Sequence, residues 1–290
     1  MSNVQLVATN GFALMLVLCL SLTAYADDIS VTELPDEIRT QFSLDPFYTK
    51  YSDAEGLPVV GSSKVSDEAL AEATWIVLQM LGHRKDILKA MAKNQTRLAV
   101  MAHDEYTTDV PEHRHLKPKD YWDRRARGLG ATRHAPAVSC AEENLLCFPG
   151  DPYSSENICI HEFAHAIHEM GMHDVDATFD DRLKAAFDRA KQQGLWKDTY
   201  AATNRQEYWA EGVQCWFDNN RESDNAHNHI NTRDELRSYD PQLASLCESV
   251  FGNRTWRYQK PLDRKLEERS HLKSFDFSRS PKFRWRSKTQ

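Results

Sequence analysis

The segment that most constrains the fold is residues 154–171, SSENICIHEFAHAIHEMG, because its apolar residues recur with the period of a helix. The apolar positions, spaced three or four apart, are Ile160, Phe163, Ala164, Ile167 and Met170. Ser154 and Ser155, followed by Glu156, predict the N-terminal cap, and Gly171 predicts the residue just past the C-terminus. The sequence therefore predicts one helix with a single face in the core.

The same segment carries the pattern HExxH. His161 and His165 are four residues apart, so on a helix their rings project from one side, one turn apart, and can bind one metal ion. Glu162 lies beside them and can take a proton from a water molecule on the metal, which is the arrangement of HExxH zinc hydrolases. The alternative is two surface histidines on an amphipathic helix.

The first residues predict an export signal. An apolar run at 12–22 is too short to span a bilayer, and Ala24-Tyr25-Ala26 is a typical cleavage site. The run is preceded by no Lys or Arg, which leaves an uncleaved anchor as the alternative. We expect residues 1–26 to be removed and the mature chain to be secreted or periplasmic, without a stable membrane anchor.

Cysteines indicate no disulfide framework. Removal of the signal leaves an odd number, Cys140, Cys147, Cys159, Cys215 and Cys247. Cys140 with Cys147 is one possible disulfide in an oxidising compartment, and Cys215 with Cys247 is a second. None has the close CxxC spacing of a structural zinc site.

Charge separates a basic tail from an acidic body. The chain has a net charge of −7, yet residues 254–290 hold 12 of its 36 Lys and Arg and only 4 of its 43 Asp and Glu. Phe283 and Trp285 alternate with arginines there, which suits an acidic surface or nucleic acid, but no nucleic-acid motif accompanies them. We expect a flexible tail and no nucleic-acid partner.

Helices alternate with short strands elsewhere, which predicts an α+β domain over residues 27–253. The predicted elements are an irregular segment of turns at 27–64, helices at 66–82, 85–93, 179–194 and 240–252, a buried strand at 97–102 and an edge strand at 135–139. An extended peptide could pair with that edge by main-chain hydrogen bonds.

A catalytic zinc site has three protein ligands and one open position, so one more ligand must be found. His168 and His173 follow the motif, but a further residue on the same helix cannot easily reach a metal centred between His161 and His165. Downstream, Thr203 and Gln206 predict a capping box that starts another helix, with Glu207 and Glu211 one turn apart on one face. In this interpretation Glu207 binds the metal and Glu211 orients a ligand histidine, whereas in the alternative both carboxylates face solvent.

These motifs together resemble a known family. HEFAH is followed, 42 residues after His165, by the first Glu of EYWAE, with Tyr200 seven residues before that Glu. Over about residues 156–218 this is similar to the gluzincin metallopeptidases of the anthrax lethal factor catalytic domain and Mlc titration factor A type. The resemblance implies a zincin-like fold, His161, His165 and Glu207 as ligands of one zinc ion, Glu162 as general base, and Tyr200 as the phenol that stabilises the oxyanion.

The sequence therefore predicts a secreted zinc metallopeptidase that acts on a peptide or protein substrate. Two alternatives stay open: a secreted zinc-binding or interaction protein without turnover, and a zinc amidase that acts on a non-protein amide. The same site residues serve all three.

Overall fold

A computed structural model describes residues 29–286. The predicted export signal lies outside the described residues. Within 29–286 no helix is both long and apolar enough to cross a membrane.

One mixed sheet is formed by the described residues, with its five strands in chain order. The strands are β1 (Thr32–Glu33), β2 (Lys50–Ala54), β3 (Leu57–Gly61), β4 (Arg97–Met101) and β5 (Ala137–Ala141). The first three are antiparallel and the last three parallel, with Leu98 of β4 paired to Val59 of β3 and Val138 of β5. Every residue of β3, β4 and β5 is buried, as expected for parallel strands covered on both faces.

Eleven α-helices are formed by the described residues. They are α1 (Asp36–Gln41), α2 (Asp67–Leu81), α3 (Lys85–Lys93), α4 (Lys119–Trp122), α5 (Glu142–Leu145), α6 (Ile158–Ala166), α7 (His173–Val175), α8 (Phe179–Gln192), α9 (Arg205–Trp216), α10 (Arg233–Tyr239) and α11 (Pro241–Phe251). The predicted α+β class is confirmed, as are α2, α3, α8 and α11. Ser66 caps α2 by accepting from the Ala69 amide, and Asp240 caps α11 by accepting from the Leu243 amide.

Side chains alternate between the two faces of the sheet. Val59, Leu98 and Val138 join the larger core with α2, α6 and α9, whereas Val60 and Ala99 join a smaller core under α1. Because successive side chains of a strand point to opposite faces, the two cores lie on opposite sides of the sheet. The HExxH helix, α6, lies on the side of the larger core. There α6 packs on both β5 and α9.

The prediction of an irregular segment at 27–64 is wrong. It supplies three of the sheet's strands and α1, and its β2–β3 hairpin turns at Glu55 and Gly56, whose φ angles are +56° and +91°. Local sequence hides these strands because β1 and β2 are short and partly exposed, and because Pro58 lies inside β3. Pairing of β3 with β4 stabilises them.

The prediction of a flexible tail is also wrong for its described part, 254–286. Glu72 of α2 is buried and ion-paired with Arg264, and it also contacts the ring of His271 at 2.8 Å. Farther on, the Phe283 amide donates to the Pro149 carbonyl at 2.9 Å. We call residues 254–286 the C-terminal strap. The charge and polarity of this segment predicted disorder. The strap is ordered because the buried Glu72 carboxylate needs cationic partners, and the strap supplies them.

Neither suggested disulfide is present, and the cysteines of the described chain are free. Cys140 lies in β5 and faces the larger core, where burial raises the pKa of its thiol. Cys147 instead occupies a turn after α5 with a φ of +56°. The short sequence separation was misleading, because Cys140 points from β5 into the core whereas Cys147 lies in the turn that follows α5.

Candidate metal centre

The HExxH helix begins later than predicted. Asn157, rather than Ser154 or Ser155, caps α6 by accepting a hydrogen bond from the Ile160 amide. Gly171 does not end the helix, because a π-helical segment, Ile167–Met172, continues α6 into α7.

A side chain at Gly171 would collide with α3. An added Cβ would lie 2.7 Å from Cγ2 of Ile87 and 3.1 Å from Cγ of Met91. The glycine is therefore required by close packing between helices, which the sequence pattern could not distinguish from a helix end.

The second site helix, α9, starts one residue later than predicted, because its cap is Asn204 rather than Thr203. Asn204 accepts from the Glu207 amide at 2.9 Å, so Glu207 lies in the first turn. The indole of Trp209 donates to the Ala164 carbonyl of α6 at 2.8 Å, deep in the core. Packing of α6 against α9 thus brings together two segments that are distant in sequence.

Three side chains converge at this contact. The Nε2 atoms of His161 and His165 are 3.2 Å apart, and Oε2 of Glu207 lies 3.2 Å from the first and 3.3 Å from the second. Ligand atoms around a tetrahedral zinc, with bonds of about 2 Å, are about 3.3 Å apart. These residues form the one cluster within 29–286 whose donor atoms are arranged to hold a metal ion. Both the spacing and the donor types fit a metal.

Electrostatics of the cluster also favour a cation. Burial opposes protonation of His161, but the hydrogen bond to Glu207 and the charges of Glu162 and Glu211 outweigh it and raise the pKa of His161 to about 10. Burial would raise the pKa of Glu207, yet both histidines hold it well below its usual range. A site that attracts protons this strongly also attracts a metal cation.

The orientation of His161 is set by Gln214. Its Oε1 lies 2.7 Å from His161 Nδ1, and its Nε2 donates to Oε2 of Glu156 at 2.7 Å. Because the amide oxygen only accepts, Nδ1 carries a proton, and Nε2 is the ring nitrogen left to bind a metal in place of a proton. The predicted partner, Glu211, is 3.7 Å from Nδ1, which is too long for a hydrogen bond.

Glu211 instead faces a loop that sequence reasoning missed. It accepts from Nδ2 of Asn220 at 3.0 Å and lies 3.5 Å from Nε2 of His227. His227 is fixed by Asp224 at 2.7 Å, and these carboxylates raise its pKa against the effect of burial.

Gln214 was detectable from the sequence, since it follows Glu207 by seven residues on one helix face. His227 carries no such signal.

Glu162 and Tyr200 stand beside the cluster. Glu162 is partly buried, and burial raises its pKa despite the charges of the two histidines. Tyr200 is 37% exposed, with its ring centroid 6.3 Å from that of His161. Burial and the charges of Glu207 and Glu162 raise the pKa of its phenol.

The cluster opens into a cleft of about 740 Å³, with the chain at 128–132 forming one wall. Leu129 exchanges backbone hydrogen bonds with Ser139 of β5, at 2.9 and 3.3 Å. The strand predicted at 135–139 is β5, Ala137–Ala141, and its edge is occupied at Ser139 by Leu129. Gly130 of this segment lies against His165 of α6.

Comparisons with known proteins add a partial structural likeness. No family model and no curated protein matches the chain. Among solved structures, it is similar to the PRO-PRO endopeptidase PPEP-2 from Paenibacillus alvei, with 19% identity and a TM-score of 0.45. The alignment covers 67% of this chain and 97% of that one.

Proposed function

We propose that this protein is a zinc-dependent metallopeptidase of the gluzincin type. The observation that carries the proposal is the near-equilateral triangle of His161, His165 and Glu207 donor atoms, with Glu162 beside it in an open cleft. Two imidazoles, one carboxylate and an open position are the ligand set of catalytic zinc rather than of structural zinc.

Zinc, when bound, supplies a Lewis acid that makes water a nucleophile at neutral pH and polarises the scissile carbonyl. Glu162, which lines the cleft beside the cluster, takes the proton from the attacking water and passes it to the leaving amine. The Tyr200 hydroxyl donates a hydrogen bond to the oxygen of the attacked carbonyl. A good donor at that position contributes about 3 kcal/mol to transition-state stabilisation.

An extended substrate would lie along the chain at 128–132, which forms one wall of the cleft beside the cluster. Main-chain pairing there holds the scissile bond between Glu162 and Tyr200 without demanding a particular side chain. Peptide or protein is therefore the substrate class we propose, and nucleic acid is not.

The test is metal analysis of the purified protein beside digestion of a peptide library, with Glu162→Gln as the diagnostic variant. We expect about one zinc per chain, and at least a 1,000-fold loss of turnover in Glu162→Gln, in which metal is retained. Glu169→Gln is the matched control, because Glu169 also lines the cleft on the same helical segment. A fully active Glu162→Gln protein eliminates the mechanism. Zinc binding without turnover in the wild type would favour a binding protein or an amidase.

Export is part of the proposal and rests on residues 1–26. Expression with the full leader should deliver a protein outside the cytoplasm that starts at Asp27, as read by N-terminal sequencing. A cell-associated product with an intact leader would replace export with anchoring.

A further inference from the structure

The cleft wall carries an arginine without an ion-pair partner. Among described residues that line the cleft, the Lys and Arg side chains are Arg125 and Arg221. Arg221 is neutralised by Asp224, with its guanidinium nitrogen 2.6 Å from the carboxylate. Arg125 is exposed, and its side chain makes neither an ion pair nor a hydrogen bond to any residue in 29–286.

Arg125 is nevertheless held in place. Its guanidinium carbon lies 5.6 Å from the ring centroid of Trp122 and 6.0 Å from that of Tyr121, within cation–π range. Its amide donates to the Trp122 carbonyl at 3.2 Å, and its carbonyl accepts from the Tyr153 hydroxyl at 3.5 Å. The donors of the side chain stay available while the arginine is oriented by aromatic neighbours.

The wall behind Arg125 is fixed by buried contacts. Asp123 is fully buried and accepts from the amide and the hydroxyl of Thr108, at 2.9 and 2.8 Å. Arg286 of the C-terminal strap lies 3.3 Å from the other Asp123 oxygen. Arg125 is thus presented by a rigid loop, so binding to it costs little ordering entropy.

Charge elsewhere in the cleft makes this position distinctive. The acidic residues that line it are Glu156, Glu162, Glu169, Glu207 and Glu211. Arg125 lines the same cleft as Tyr200 and the metal cluster. With zinc bound by Glu207 and the two histidines, a substrate carboxylate is attracted by the metal and by Arg125 and is repelled by the other glutamates of the cleft wall.

We propose that Arg125 binds a carboxylate of the substrate in the cleft that holds the metal cluster. This inference rests on the proposed peptidase function and names its substrate class: peptides that present an acidic side chain or a free C-terminal carboxylate. The planar guanidinium forms two parallel hydrogen bonds with such a group, a geometry that lysine cannot reproduce.

Binding can be measured without turnover. Zinc-loaded Glu162→Gln protein is titrated with blocked hexapeptides that carry Asp or Asn at one position in turn, and with the same peptides bearing a free or an amidated C-terminus. We expect at least one pair in which the carboxylate form binds about 10-fold tighter. The side-chain and C-terminal arms tell the two sources of the carboxylate apart.

The role of Arg125 is tested by Arg125→Gln in the same background, which should reduce that ratio to about one, and by Arg125→Glu, which should prefer Lys at the same position. Arg279→Gln is the control, since Arg279 is exposed, has no ion pair in the described chain and lies outside the cleft. Equal ratios in the parent and Arg125→Gln proteins overturn the inference.

The two proposals fail separately. Cleavage by the wild-type enzyme with no Arg125-dependent preference rejects the carboxylate site alone. Arg125-dependent binding by a wild-type protein that cleaves no peptide rejects the peptidase assignment and leaves the carboxylate site supported.

Discussion

Gln214 Oε1 lies 2.7 Å from Nδ1 of His161, whereas the nearest oxygen of Glu211 is 3.7 Å away. The amide is itself held by Glu156, so His161, Gln214 and Glu156 form a continuous chain behind the cluster. The partner of a metal-binding histidine fixes both its tautomer and the direction of its lone pair. The metal site therefore depends on Gln214, rather than on Glu211, for the orientation of His161.

Replacing Gln214 with Leu should weaken zinc binding about 10- to 100-fold, because the His161 ring loses its acceptor. Glu211→Gln should have a much smaller effect, since its hydrogen-bonded partner is Asn220 rather than His161. Competition with a chelator measures both affinities, with circular dichroism of the same samples to confirm folding. A larger loss in Glu211→Gln would restore Glu211 as the orienting residue.

Gly130→Ala should damage the site by contact alone. An added Cβ would lie 2.7 Å from Cβ of His165, so either 128–132 or α6 has to move. We expect a loss of about 1–3 kcal/mol in the free energy of unfolding and at least 10-fold weaker zinc binding.

Gly56→Ala is the control for Gly130→Ala. Its added Cβ meets nothing within 4 Å, but its φ of +91° is unfavourable for alanine, so it should lower stability and leave zinc affinity unchanged. Denaturant titration and chelator competition measure the two quantities. Unchanged zinc affinity in Gly130→Ala would show that the wall at 128–132 is not coupled to the metal site.

His113 should make folding stability depend on pH. It is buried, its Nε2 lies 3.2 Å from the Ser139 hydroxyl, and burial lowers its pKa from 6.5 to about 4. The unfolded chain therefore binds a proton before the native state does. The stabilising contribution is complete above pH 6.5 and is lost as the pH falls from about 6.5 to about 4, by about 3 kcal/mol.

Urea unfolding of the wild type and His113→Gln at pH 7.5 and pH 5 measures this contribution as the difference between their pH dependences. The variant should lose less stability on acidification. His134→Gln, at an exposed position, is the control and should follow the wild type. Parallel curves for the wild type and His113→Gln would remove His113 as the source.

The C-terminal strap should contribute to folding through Glu72. Arg264→Met leaves the Glu72 carboxylate buried with His271 as its remaining partner, which should cost about 3 kcal/mol in the free energy of unfolding. Arg279→Met, in the exposed part of the strap, should change it by less than about 0.5 kcal/mol. Equal stabilities for the two variants, by urea unfolding, would mean that the strap is dispensable. The strap then would be the flexible tail that composition predicts.

Sequence by itself determined the features that depend on neighbouring residues. The 3.6-residue period and the capping residues located α2, α3, α8 and α11, and the i, i+4 spacing placed His161 and His165 on one face of α6. These are local effects of backbone geometry, and they leave a readable pattern in a single chain. The same logic placed Glu207 in the first turn of α9.

Tertiary structure decided what depends on contacts between distant segments. The hairpin β2–β3 is stabilised by pairing with β4, Gly171 by the approach of α3, and the C-terminal strap by a carboxylate nearly two hundred residues earlier in the chain. The partners of His161, the covering of β5 by Leu129 and the exposed guanidinium of Arg125 were likewise settled by packing. Such contacts follow no period along the chain, because side chains far apart in sequence meet only once the core has formed.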